Sequence, residues 1–302
     1  MDNNIIYLDN NATTSVDDRV IKVITSYFTD LYGNASSLYS FGNKAKIAID
    51  KAKIESAKLI CAEPNEIYFT SGATEGINFA LKGLAMHPVN RKKHIITCRT
   101  EHKAVLETCQ YLESIGYKID YLSVDTAGNI NLEALQEMIT NDTLLVCLMW
   151  VNNETGVIHP IEKIGNITKA SGVYFVCDGT QGIGKLPINI NESSIDVLCF
   201  SGHKMYGPKG IGGIYINQNI TKQYKIQPLI HGGGQEDGLR SGTYNVPLIA
   251  GLGNTCEIAH AEMEKNRKHI ELLQSFLEKE LLQIKGAFIN GNRASRIYNT
   301  LN

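Results

Sequence analysis

"DVLCFSGHKMYGPKGIGG" (Asp196–Gly213) decides how the chain folds. Its first half, Val197–Phe200, is uninterrupted apolar sequence too short for a helix. Such a run fits a strand buried on both faces, as in a parallel sheet covered by helices. Immediately after it stand Ser201, His203 and Lys204, then a proline-punctuated, glycine-rich segment. In open α/β sheets ligands gather outside the carboxyl ends of the strands, so these residues sit where chemistry is expected. Lys204 is either a solvated surface lysine beside a turn or an amine held in an apolar place, where it becomes nucleophilic.

The same grammar repeats outward from this stretch. "EIYFT" (66–70), "HIITC" (94–98), "TLLVCLMW" (143–150) and "VYFVC" (173–177) are further apolar runs. Helical patterns follow from Ala73 to Met86 and after His102, where Val105, Leu106, Cys109 and Leu112 recur at helical spacing. The alternation predicts an α/β fold with a mostly parallel sheet sandwiched by helices, over about residues 16–255. A long amphipathic helix is expected over Val246–Ile284, and "GAFING" and "RIYNTLN" after it read as strands of a further unit.

Composition limits the function. The 302 residues carry a net charge of -2, giving no basic excess for nucleic acid or an anionic membrane. The polar start "MDNNIIYLDNNATT" lacks an apolar signal core, and no uncharged apolar run is long enough to span a bilayer. The seven cysteines are scattered, without a C-x-x-C pair. Reduced thiols in a cytoplasmic protein account for them, and no metal site is expected.

Each strand end carries an ambiguous signal. "SGATEG" (71–76), with Ala73 and Thr74, is either a phosphate cradle at a helix start or an ordinary cap. His102 either stacks on a flat ligand and relays a proton, or is a hydrogen-bonded loop residue. Asn153 offers an amide at the same sheet edge, or belongs to a plain turn. Asp178 is either a helix cap or a carboxylate facing a cation, with Gln181 three residues on. "HGGGQEDGLRSGT" (231–243) is either a flexible connection or a loop bringing Arg240, Ser241 and Thr243 to a phosphate. Jointly, an amine for an aldehyde, an anion for a ring nitrogen, a flat stacker and several phosphate donors describe a site for pyridoxal phosphate.

With these residues in order, the sequence resembles the class V aminotransferase-like pyridoxal-phosphate enzymes, and among them the cysteine desulfurases of the NifS/IscS type. The motifs are "YLDNNATT", "GNASSLYSFG", "FTSGATEGINFA", "TEHKAVLETC", "NNETG", "DGTQGIGKLPI", "SGHKMYGPKGIG" and "HGGGQEDGLRSGT". The resemblance implies a fold-type I transferase, with a large cofactor-binding domain at 16–255 and a smaller α/β domain from 1–15 and 256–302. It implies that Lys204 holds the cofactor covalently and later moves protons, and that Asp178 pairs with the pyridine nitrogen. Gln181 would contact the phenolic oxygen and His102 would stack over the ring. Ala73, Thr74, Ser201 and His203 would hold the phosphate, with Thr243 reaching in from the second subunit of a homodimer. Asn153 would position the substrate, L-cysteine.

The implied products are alanine and an enzyme persulfide, whose sulfur passes to an acceptor such as an iron–sulfur scaffold. In the family the sulfur-accepting cysteine lies on a Ser/Gly-flanked loop late in the chain. The arginine that clamps the substrate carboxylate lies there too. Neither has a counterpart in these 302 residues, so the small domain is expected to be truncated, and the chain to bind pyridoxal phosphate without releasing sulfide. The competing expectations are a non-catalytic cofactor- or partner-binding homologue, and another class V enzyme such as a selenocysteine lyase or an aminotransferase. Gly179, where relatives usually carry alanine, is a minor departure.

Overall fold

The computed structural model describes residues 6–302. Seven strands among them form one sheet: β1 (Ile67–Thr70), β2 (His94–Cys98), β3 (Lys118–Leu122), β4 (Thr143–Met149), β5 (Tyr174–Asp178), β6 (Val197–Ser201) and β7 (Gly212–Ile216). Their order is β1-β7-β6-β5-β4-β2-β3. The run from β3 to β6 is parallel throughout, whereas β7 pairs antiparallel with both β6 and β1. The mostly parallel sheet expected from the apolar runs is therefore present.

Successive strand residues feed two separate cores. Val146 and Leu148 of β4 join one apolar cluster, and Leu145 and Cys147 join the other. That explains why β4 reads as unbroken apolar sequence rather than alternation. Each such fully buried side chain contributes about 1.5–3 kcal/mol of transfer free energy. One face is covered by α3 (Ala73–Ala85) and α4 (Lys103–Ser114). The other is covered by α2 (Ser40–Ile60), α6 (Ile161–Ala170) and the start of α9 (Val246–Leu281), with α1 (Asp18–Thr29) packed on α9. The short helices α5 (Leu132–Met138), α7 (Ile190–Ser193) and α8 (Gln218–Lys222) complete the connections. Helices α2 and α9 touch backbone to backbone at Gly253, where an added Cβ would lie 2.6 Å from Ala52 Cα.

Strand β7 was not evident as a strand because it begins with two glycines. A Cβ at Gly213 would lie 2.7 Å from Phe200 Cε1, and one at Gly212 would lie 2.7 Å from Gly72 Cα. Side chains are excluded at Gly213 by the Phe200 ring of β6 and at Gly212 by the loop before α3.

Helix α9 runs unbroken through residues 255 and 256. One expectation changes. "GAFING" and "RIYNTLN" form no strand; the second instead lies across the turn after β4, where Ile297 N donates to Gly156 O at 2.9 Å. A single isolated bridge, Val157 to Arg296, is all the pairing it makes with that turn. Glu278, buried late in α9, holds this segment through Arg293 and Arg296.

The strand order switches between β2 and β4: β2 leads outward to β3, and β4 lies on the other side of β2. The carboxyl ends of β2 and β4 therefore open a crevice, the place where this class of sheet binds ligands.

Candidate active site

A cavity of about 740 Å³ lies at these carboxyl ends. Ala73, Thr74, His102, Asn153, Asp178, Gln181, Ser201, His203 and Lys204 all line it. Residues from five strand ends, distant in sequence, thus converge on one volume of a size suited to a cofactor with its substrate.

Lys204 closes a short 3-10 turn after β6. Its Nζ donates to the carbonyl of Asn11 and, at 2.7 Å, to that of Ala12. Burial pushes its pKa below the usual lysine value, opposed by the charges of Asp178 and Asp9. The free amine is correspondingly more accessible than that of a surface lysine.

Asp178 ends β5 and is buried; Thr180 N donates to its Oδ1 at 3.0 Å. Burial raises its pKa, with Thr180, His102 and Lys204 opposing the rise. Glu101 is also buried, and its Oε1 accepts from Met149 N at 2.8 Å. Burial raises the Glu101 pKa well above the usual carboxyl value, and the charge of Asp178 adds to the rise.

His102 caps α4, and its Nδ1 accepts from Ala104 N at 3.1 Å. That bond assigns the ring proton of the neutral imidazole to Nε2. His203 contacts Thr13 Oγ1 through Nδ1 at 3.1 Å. Burial first, then the charges of Lys204, Lys209 and Lys185, push its pKa down to about 4, so it is neutral at physiological pH. The first turn of α3 also lines the cavity, and a helix N-terminus favours an anion.

The long loop behaves differently from one of its expected readings. Arg240 Nε donates to Glu75 Oε1 at 2.8 Å, and Ser241 is buried, accepting from Gly234 N at 3.3 Å. Neither lines the cavity. Glu75 takes the Arg240 guanidinium. Thr243 is exposed and lines a separate depression, so within one chain it does not join the site.

Several site residues carried no local signal. Asp9, Asn11, Ala12 and Thr13 line the cavity from the amino-terminal segment. Lys185 lies behind it, buried, with Nζ donating to Gln181 Oε1 at 3.0 Å. Its place within the apolar run "GIGKLPI" was the one available hint. None of the seven cysteines lines the cavity; six are buried, and the exposed Cys61 belongs to a groove with Trp150 and His159.

The residues present fit pyridoxal phosphate. A buried carboxylate, Asp178, is hydrogen-bonded to an amide and not to a cation, and the buried Thr180 Oγ1 has no partner. A lysine of lowered pKa lines the same cavity, as does the first turn of α3.

Comparison with known proteins agrees with the geometry. The family model "Aminotransferase class-V" matches residues 6–302. The chain is 48% identical over 299 residues to the "Cysteine desulfurase IscS" of Rickettsia bellii, covering 98% of this chain and 72% of that protein. Among solved structures, a "NifS-like protein" is 44% identical with a TM-score of 0.94, covering 98% of this chain and 80% of that one. A structure described as SspA in complex with cysteine is 42% identical with a TM-score of 0.81, covering 84% of this chain and 72% of that one.

Proposed function

Because the chain belongs to the class-V aminotransferases, and among them to the pyridoxal-phosphate-dependent cysteine desulfurases, we propose the following division of labour in its cavity. When bound, pyridoxal phosphate supplies an aldehyde that captures amines and a ring that withdraws electrons from the Cα of an amino acid. Lys204 is the amine that anchors the cofactor, and its lowered pKa leaves Nζ able to take a proton from substrate Cα. Asp178 pairs with the ring nitrogen, Gln181 Nε2 donates to the phenolic oxygen, and His102 lies over the ring. Ala73, Thr74, Ser201 and His203 hold the phosphate, and Asn153 positions L-cysteine. The relative seen with cysteine supports that substrate.

The observation that carries this reading is Lys204 and the buried Asp178 lining one cavity together with the first turn of α3. We further propose a cytoplasmic homodimer in which Thr243, exposed here, completes the other protomer's phosphate cradle. The desulfurase name of the relatives supports passage of the sulfur to an iron–sulfur scaffold. Residues 16–255 would form the cofactor-binding unit, and residues 1–15 with 256–302 the smaller one. Six of the seven thiols are unsuited to accept the sulfur, because burial raises the pKa of Cys98, Cys109, Cys147, Cys177, Cys199 and Cys256 and disfavours the thiolate. The exposed Cys61 does not line the cavity.

The test is exchange of the Cα hydrogen of L-cysteine in deuterated water, followed by proton NMR. The cofactor-loaded chain should wash out that hydrogen, and Lys204→Ala should not. Equal exchange by both proteins would refute the assignment.

A further inference from the structure

Lys185 is buried, yet among the described residues no carboxylate pairs with it. Burying an ammonium beside a neutral amide is costly, so the residue calls for an account. Burial, with a smaller contribution from Lys204, lowers its pKa to about 7.

The local backbone is rigid. Gly182 N and Ile183 N both donate to Gly179 O, and Lys185 N and Leu186 N donate to Gly182 O. These turns place residues 181 and 185 on one side, four residues apart. At Gly182 a Cβ would lie 2.6 Å from Trp150 Cδ2, and at Gly184 one would lie 2.7 Å from Met205 Sδ. The turn therefore has no room to shift against its neighbours.

Lys185 Nζ donates to Gln181 Oε1 at 3.0 Å, and Gln181 Nε2 donates to Asn11 O at 2.9 Å. The Lys185 ammonium offers only donors, so the amide oxygen must face it. A backbone carbonyl only accepts, so the amide nitrogen must face Asn11. The two contacts fix the amide in one of its two flips. The same Asn11 carbonyl also accepts from Lys204 Nζ, so the amide nitrogen points to the atom where the anchor lysine rests.

We propose that Lys185 is a positioning residue: by occupying Gln181 Oε1 it holds the Gln181 NH2 toward the cavity, as a donor for an anionic oxygen of the cofactor. The proposal rests on the reading of the cavity given above. A neutral amine still donates to Oε1, and the Asn11 carbonyl accepts only, so the two contacts together hold the flip on both sides of pH 7. Without Lys185 only the Asn11 contact opposes a flip, and a flipped amide would turn its oxygen toward a phenolate.

The test is a double-mutant cycle read by the dissociation constant of pyridoxal phosphate in wild type, K185M, Q181L and the double variant. K185M replaces a buried cation with an apolar chain of similar length, so apo K185M should melt at or above the wild-type temperature. It should bind the cofactor about tenfold more weakly, as for one misdirected hydrogen bond. The double variant should bind no more weakly than Q181L, because Lys185 acts through Gln181. Affinity of K185M within twofold of wild type, additive losses in the double variant, or failure of K185M to fold would each overturn the proposal. Failure of wild type itself to bind pyridoxal phosphate would refute the reading of the cavity, a distinct outcome that removes the basis of the proposal with it.

Discussion

Replacing Asp178 with Asn should stabilise the empty protein and cripple its use. Asp178 is 7% exposed, and Thr180 N at 3.0 Å is its hydrogen-bond donor. Its pKa is raised, chiefly by burial. A carboxyl with a raised folded pKa contributes stability below its unfolded pKa of about 3.9, and loses it as pH rises through the folded value. Above the unfolded value, Asp178 is therefore a net cost to the empty fold. An asparagine keeps an acceptor for Thr180 N and removes the charge. The gain should be about 1–3 kcal/mol, the scale for burying an uncompensated polar group. That corresponds to about 2–4 °C per kcal/mol in melting temperature.

With pyridoxal phosphate the sign inverts. Asp178→Asn leaves the ring nitrogen without its counter-charge, and breaking such a buried pair costs about 3–5 kcal/mol. Affinity should fall by about two to three orders of magnitude. Differential scanning fluorimetry with and without cofactor reads both effects together. The variant should melt higher than wild type when empty, and its cofactor-induced shift should largely vanish. A lower melting temperature for the empty variant, or an undiminished shift, would refute the reasoning about this carboxylate.

Three further outcomes follow from other parts of the molecule. His159 is 2% exposed with neither ring nitrogen partnered, and burial lowers its pKa to about 4. The unfolded chain then takes up the proton first, so stability should fall by up to about 3 kcal/mol as pH drops from 6.5 to 4; His159→Leu should flatten that slope in urea titrations. Gly182→Ala would press its Cβ to 2.6 Å from Trp150 Cδ2, and should cost about 1–3 kcal/mol by overpacking, measurable as a reduced denaturation midpoint. Cys61→Ser, which alters the exposed thiol, should leave cofactor affinity and Cα-hydrogen exchange unchanged, since Cys61 does not line the cavity. A loss of exchange there would show that this thiol serves the reaction.

What could be read in the sequence was what the physics makes local. Strands β4, β5 and β6 are apolar because both faces are covered, and polar residues at their carboxyl ends stood out against that background. Lys204, Asp178 and Asn153 were legible for this reason. Strand β3 was not, being an edge strand with Lys118 exposed, and β7 was hidden by Gly212 and Gly213. Asn11 and Lys185 were silent for another reason. Asn11 acts through its backbone carbonyl on a lysine 193 residues away, and Lys185 acts through a neighbouring amide. Arg240 looked like a phosphate ligand because nothing local announces its pairing with Glu75 across the fold. "RIYNTLN" had strand-like residues, but its hydrogen bonds go to the turn at Gly156 rather than to a neighbouring strand.

The central claim is that Lys204 is the covalent anchor for pyridoxal phosphate. Reduction of the loaded protein with borohydride, followed by peptide mass mapping, tests it directly. The account predicts that the absorbance of the bound cofactor bleaches and that the mass of a reduced pyridoxyl phosphate appears on Lys204. The same label on Lys185, Lys209 or any other lysine, or no label at all, would contradict it.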